Sequence, residues 1–85
     1  MASEYDIEIY EEKYFLENFP VFADITDKYL KDYGIDKSKY YFSQCLGVGK
    51  WLSVTYGHKE DEDVTVDVTF DVETTQLESI ELSKD

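Results

Sequence analysis

The sequence contains no arginine and only one residue each of proline, cysteine, histidine and tryptophan among its 85 residues. All eight basic side chains are lysines, and they face 20 aspartates and glutamates, so that the formal net charge is −12. Proteins that bind nucleic acids directly place cations against phosphates, and this balance therefore argues against direct nucleic-acid binding. It disfavours anionic membranes for the same reason, whereas it favours a basic protein surface as the partner.

The single cysteine, Cys45, excludes a disulfide within the chain and fits a reducing compartment. The first ten residues offer neither the basic nor the apolar region of a secretory signal. No apolar run approaches the roughly 20 residues that a membrane-spanning helix needs. From these three absences we expect a cytoplasmic protein that does not enter a membrane.

The composition that remains is typical of a folded protein. Hydrophobic residues make up 42% of the chain and aromatic residues 16%, including eight tyrosines and five phenylalanines. Disordered acidic chains lack this aromatic content, so the negative charge is expected on the surface of a folded body. A chain of this length is predicted to form one domain, residues 1–85.

The clearest pattern lies between Asp63 and Glu73, where apolar and polar residues alternate. A period of two predicts a strand with one dry face and one wet, acidic face. The apolar members are Val64, Val66, Val68, Phe70 and Val72.

The N-terminal region has two possible interpretations. Residues 3–18 contain both a helical stripe and a short alternating stretch. We expect a helix from about Glu8 to Glu17, and a short strand within residues 3–10 is the alternative.

A second helix is predicted from about Asp24 to Tyr33. Asp24 is suited to cap its first turn, because its carboxylate can accept hydrogen bonds from the first backbone N–H groups. Gly34 stands where a left-handed residue ends a helix, and Ile35 could then contact Leu30.

Four strands follow, separated by turns that are too short for anything but antiparallel neighbours. The strands are predicted at residues 39–46, 51–56, 63–73 and 77–83. The predicted fold is therefore α+β, with one or two N-terminal helices packed on a four-stranded antiparallel meander. This architecture is similar to that of cystatin-like folds, in which a curved sheet holds a helix. The inner face of the sheet is expected to carry Leu52, Val54, Val64, Val66, Val68, Phe70, Ile80 and Leu82.

The sequence favours a binding protein over an enzyme, and no catalytic residue, cofactor or metal site is predicted. His58 lies in a charged loop with no nucleophile motif beside it. Cys45 has no cationic setting that would lower the pKa of its thiol. The run from Glu60 to Asp63 lacks the ligand spacing and the glycine of a calcium-binding loop. Residues 47–50 resemble a phosphate loop only in their glycines, since a strand and not a helix follows them.

The acidic surface is the best candidate for a partner-binding site. The predicted partner-binding residues are Glu60, Asp61, Glu62, Asp63, Asp67, Asp71 and Glu73. A possible second row would come from Glu78 and Glu81 or from the N-terminal acidic residues. A domain that is merely soluble would also carry such charges. Trp51 is expected on the outer face of its strand, which makes it a candidate for self-association, so the protein could be a monomer or a homodimer.

In size, acidity, tyrosine content and lack of catalytic residues, the chain resembles the small acidic α+β proteins of phages and mobile elements. That group includes anti-CRISPR proteins, anti-restriction proteins and DNA mimics. The resemblance implies an inhibitor that occupies the basic surface of a nucleic-acid-binding enzyme or complex, in the cytoplasm of a bacterial host. Two alternatives remain open: an immunity protein that neutralises a cognate toxin, and a structural or assembly subunit whose acidity only keeps it in solution.

Overall fold

The structure is a computed structural model that describes residues 7–84, in which two helices cover one face of a five-stranded antiparallel sheet. The strands lie in the sheet in chain order. The elements are β1 (Ile7–Tyr10), α1 (Glu12–Asn18), α2 (Pro20–Asp32), a 3-10 turn (Lys37–Lys39), β2 (Tyr40–Val48), β3 (Trp51–His58), β4 (Val64–Asp71) and β5 (Gln76–Lys84). The α+β class and the antiparallel sheet are confirmed, but the prediction of four strands is wrong.

The fifth strand is β1, which forms one edge of the sheet. It pairs antiparallel with β2, where Ile7 lies opposite Val48 and Ile9 opposite Leu46. The helix predicted from about Glu8 therefore begins only at Glu12. The strand alternative is right for residues 7–10, and its earlier residues lie outside the described part of the chain. Pairing with β2 satisfies the backbone of β1 and suits its β-branched isoleucines, which overrides the local helical stripe.

The second helix begins four residues earlier than predicted. Pro20 occupies its first turn, where a backbone N–H has no partner within the helix and proline is tolerated. Asp24 therefore lies inside the helix and does not cap it. The predicted C-terminus is confirmed: Gly34 has φ +73°, and the backbone N–H of Ile35 donates to the carbonyl of Leu30 at 2.8 Å.

The core lies between the helices and the inner face of the sheet. Phe22 of α2 packs on Phe70 of β4, with their ring centroids 4.9 Å apart. The alternation in β3 and β4 is confirmed, but Leu82 is 58% exposed because it lies near the end of the edge strand β5. The buried hydrophobic residues are Phe15, Phe22, Leu30, Cys45, Leu52, Val54, Tyr56, Val64, Val66, Val68 and Phe70.

The strands found are close to those predicted, with shifted ends. The turn predicted over residues 47–50 shortens to Gly49 and Lys50, because Gly47 still pairs with Leu52. Gly49 adopts φ +57°, as a two-residue hairpin turn requires. In the β4–β5 turn it is Thr75, a β-branched residue, that adopts φ +57°.

Gly34 and Thr75 give a paired prediction about backbone strain. Replacing Gly34 by Ala is expected to lower the free energy of unfolding by about 1 kcal/mol, because a Cβ is disfavoured at positive φ. No atom lies within 4 Å of the added Cβ, so a clash would not contribute. Thr75→Gly is expected to act in the opposite direction, and chemical denaturation measures both. Destabilisation of similar size by the two substitutions would contradict the backbone strain inferred at Thr75.

Candidate protein-binding surface

The outer face of the sheet, which points away from the helices, consists of rows of side chains that run across the strands. Residues opposite one another on adjacent strands share a face, and their Cβ atoms lie about 4.5–5.5 Å apart. The strand register therefore shows which side chains are neighbours. Three rows matter here: Ile7–Val48–Trp51–Asp71–Gln76, Ile9–Leu46–Ser53–Thr69–Ser79, and Gln44–Thr55–Asp67–Glu81.

The third row brings two carboxylates together. Asp67 of β4 lies directly opposite Glu81 of β5. Asp67 is half-buried and accepts a hydrogen bond from the Thr55 hydroxyl at 2.6 Å, whereas Glu81 is exposed. Like charges that face each other across two strands destabilise a sheet. Neither carboxylate forms an ion pair, because the salt bridges found between residues 7 and 84 are Lys37–Asp27 and Lys50–Asp71.

The loop between β3 and β4 is organised by His58. Its Nδ1 accepts hydrogen bonds from the backbone N–H groups of Glu60, at 3.1 Å, and Asp61, at 3.2 Å. The imidazole also packs edge-on against Tyr40, with centroids 4.9 Å apart. Through these contacts His58 acts as a structural group that fixes the fold of the loop. Sequence reasoning missed this role, which depends on how the loop folds back.

That loop divides its acidic residues into two kinds. Asp61 is half-buried, and its Oδ1 accepts a hydrogen bond from the N–H of Asp63 at 3.1 Å. The side chains of Glu60, Glu62 and Asp63 are exposed. Three of the four predicted acidic residues in this loop can therefore meet a partner directly.

Asp71 is not on the solvated surface where it was expected. It is buried, with 5% of its surface exposed. Its Oδ1 accepts hydrogen bonds from the N–H groups of Glu73, at 2.9 Å, and Thr74, at 3.2 Å. Its Oδ2 lies 3.5 Å from the Lys50 Nζ. The carboxylate is used within the protein to close the β4–β5 turn, while Glu73 beside it is exposed.

Glu78 is exposed but falls at the register shift of β5, between Leu77 and Ser79, and has no partner opposite it on β4. Apart from Asp61, the other exposed or half-buried residues of the predicted set form what we call the acidic strip: Glu60, Glu62, Asp63, Asp67, Glu73 and Glu81. It begins in the β3–β4 loop, passes the Asp67–Glu81 pair and ends in the β4–β5 turn. The eight residues of β4 separate its ends by roughly 26 Å, at about 3.3 Å per residue. The strip is thus a long, sparse line of carboxylates.

The other half of the outer face is apolar. Trp51 lies on the outer face, 39% exposed, and the register surrounds it with side chains that the sequence reasoning did not assign to a site. We call this group the apolar patch: Ile7, Ile9, Leu46, Val48 and Trp51. It was missed because a helix was expected from about Glu8, so that β1, which supplies both isoleucines, was not counted in the predicted sheet.

Two side chains with raised pKa values, Cys45 and Tyr10, lie outside the acidic strip. Burial raises the pKa of the Cys45 thiol to about 11, so the nucleophilic thiolate is disfavoured. A hydrogen bond to the Glu8 carboxylate, with burial, raises the pKa of Tyr10 to about 12. Two shallow cavities, of about 300 and 390 Å³, lie beside α2, and neither is lined by Cys45 or His58. Within residues 7–84, no group of three or more histidine, cysteine or acidic residues is placed to hold a metal ion.

The raised pKa of Cys45 predicts an effect of alkaline pH on stability. Above pH 9 the unfolded state loses the thiol proton, while the folded state keeps it until about pH 11. The free energy of unfolding should therefore fall as the pH rises through this window. Denaturation at a series of pH values measures the slope, and Cys45→Ala should reduce it. If the free energy of unfolding depends on pH equally in Cys45→Ala and in the original protein, the raised pKa of Cys45 is not the cause.

The structural role of Asp71 is tested by comparing two substitutions. Asp71→Ala removes an acceptor from two N–H groups and leaves Lys50 without its carboxylate, so it should cost about 1–3 kcal/mol of stability. Asp71→Asn keeps a carbonyl oxygen in place of Oδ1 and should cost clearly less. Glu73→Ala, at the neighbouring exposed position, is the control and should be near neutral. A small effect of Asp71→Ala in chemical denaturation would contradict the turn-closing role.

No match is found when the chain is compared with protein-family models, with curated proteins and with solved structures. Neither helix described between residues 7 and 84 has the length and apolar character needed to cross a lipid bilayer.

Proposed function

We propose that this protein is a small acidic inhibitor that binds the basic surface of a nucleic-acid-binding enzyme or complex. One observation carries the proposal: six carboxylates lie along one side of the outer face and its two connections, and none of them forms a salt bridge within residues 7–84. A basic partner supplies the missing cations.

The geometry favours a general complementarity of charge over a copy of the DNA backbone. Over the eight residues of β4, roughly 26 Å at about 3.3 Å per residue, the strip has a single carboxylate, that of Asp67. One DNA strand carries a phosphate for about every 3.4 Å of helix axis. The strip therefore supplies far fewer charges than a phosphate row of its length. It is better suited to blocking a cationic groove than to reproducing each contact that the nucleic acid makes.

The position of the strip also supports a role in binding. Its ends lie in the β3–β4 loop and the β4–β5 turn, and hydrogen bonds to His58 and Asp71 hold both connections in place. A preorganised loop loses less conformational entropy on binding than a mobile one. The strip can therefore present its charges to a partner without first being ordered by it.

The first test is a search for the partner. The tagged protein is incubated with a bacterial lysate treated with nuclease, washed, and eluted in steps of rising salt for mass spectrometry. We expect a basic nuclease or nucleic-acid-guided complex to elute at moderate salt, because screening weakens a contact between opposite charges. The purified partner should then release the inhibitor when DNA is added. Simultaneous binding of DNA and inhibitor would contradict the proposal.

A matched pair of variants tests the surface itself against that partner. The strip variant carries Glu60→Gln, Glu62→Gln, Asp63→Asn and Glu73→Gln. The control variant carries Glu11→Gln, Glu17→Gln, Asp24→Asn and Asp32→Asn, which remove the same number of exposed charges from the helical side. The strip variant should bind at least about tenfold more weakly at low salt, mainly through slower association. Equal losses in both variants would show that only the total charge matters.

A further inference from the structure

The apolar patch is continuous across three strands. Ile7, Val48 and Trp51 are neighbours in one row, and Ile9 and Leu46 are neighbours in the next. Ile9 is 74% exposed, Ile7 63% and Trp51 39%, while Leu46 and Val48 are half-buried. Isolated exposed apolar side chains are common on soluble proteins, but a contiguous group on a flat sheet face is typical of an interaction surface.

The patch is free of uncompensated carboxylates. Its first row continues to Asp71, which is buried and paired with Lys50, and ends at the uncharged Gln76. The Lys50 ammonium also lies 4.8 Å from the centroid of the Trp51 ring, in a cation–π contact. The second row ends in Thr69 and Ser79. Carboxylates without an ion pair enter this face at the third row, with Asp67 and Glu81.

We propose that the apolar patch binds the same patch of a second copy of this chain, so that the protein forms a symmetric dimer. The charge distribution favours a second copy over a basic partner as the molecule that binds this patch. A basic partner is drawn to the acidic strip, and it gains nothing from a neutral patch. The patch instead needs a neutral apolar surface of similar shape, which the second copy supplies. Two copies that each carry a charge of −12 repel, so they can meet only where their carboxylates stay apart.

Symmetry and register together indicate how the two faces meet. A twofold axis that runs parallel to the strands, centred on β2, places the β1 side of one copy over the β3 side of the other. Ile7 then meets the Trp51 of the second copy, and Val48 meets its own equivalent. The acidic strips, on the β4–β5 side of each copy, end up at opposite ends of the dimer. An axis perpendicular to the strands would instead bring the strips face to face and is disfavoured by charge repulsion.

The size of the patch sets the expected affinity. A standard stable interface buries about 800 Å² per partner, and it usually involves about 20–30 residues on each side. Five side chains, two of them already half-buried, provide less than this. The dimer is therefore expected to be in reversible exchange with the monomer and to be observed at high protein concentration.

Sedimentation equilibrium of the protein alone tests the dimer, at low and at high salt over a range of protein concentrations. We expect the dissociation constant to fall as salt rises, because salt screens the repulsion between the two copies. Binding to a basic partner changes with salt in the opposite direction. A protein that stays monomeric throughout, or a dimer that salt weakens, would overturn the proposal. Neither result bears on the acidic strip, since no other protein is present.

Two substitutions with the same change of charge test the position of the contact. Ile9→Lys places a charge in the middle of the patch and should raise the dissociation constant at least about tenfold, because that charge would be desolvated without a partner. The dissociation constant should rise even though the added lysine lowers the net negative charge of each copy and so weakens the repulsion between them. Leu82→Lys makes the same change at a residue that is 58% exposed on the inner face of the sheet, and it should leave the dimer intact. Equal effects of the two variants would overturn the assignment to this patch.

Fluorescence gives a readout that belongs to the patch, because Trp51 is the single tryptophan of the chain. Dimerisation should bury its ring and shift its emission to shorter wavelength as the protein concentration rises, with the same midpoint as the sedimentation data. The Ile9→Lys variant should keep the emission of the monomer at every concentration. Emission that does not change while a dimer forms would place the contact elsewhere and overturn the proposal.

Discussion

The packing of alternate β4 side chains against the two helices determines where nearly everything else in this molecule lies. Val66, Val68 and Phe70 are fully buried on the inner face. A strand of period two that buries one set of side chains must expose the other set, and a slip of one residue would exchange them. The position of Asp67 on the outer face thus follows from the burial of its neighbours. Through the strand register, the same constraint places Thr55 and Glu81 beside it.

The features that the sequence predicted well are those determined by local chemistry. The alternation in β4 reflects the pleat of a strand, and Gly34 reflects the need for positive φ at a helix end. The first strand was predicted only as the alternative to a helix, because residues 3–18 contain both a helical stripe and an alternating stretch. Only the pairing of Ile7 and Ile9 with Val48 and Leu46 decides between the two, and that pairing joins residues far apart in the chain.

The candidate surface was predictable in its chemistry and less so in its members. Glu60, Glu62 and Glu73 are exposed, as an acidic surface requires. Asp71 belongs to the same sequence pattern, but the turn that follows β4 brings two N–H groups onto its carboxylate. Composition cannot separate a carboxylate that faces solvent from one that closes a turn. The distinction depends on hydrogen bonds that exist only in the folded chain.

The two halves of the outer face are two separate surfaces with different chemistry. The half formed by β1, β2 and the start of β3 is apolar and neutral, while the half formed by β4 and β5 is polar and acidic. A contact on one half leaves the other open. In a symmetric dimer, each of the two proposals could therefore hold without interfering with the other, and a basic partner would meet two acidic strips.

The opposed carboxylates of Asp67 and Glu81 also imply a trade between folding and binding. Their repulsion destabilises the free protein, and a cation placed between them removes it. In the proposed complex, part of the driving force would then be present before the partner arrives, as a local repulsion within the sheet. Natural sequences commonly tolerate such inconsistencies where they serve a function. A chain optimised for stability alone would be expected to carry a lysine in one of these two positions, and it would be a weaker ligand for a basic surface.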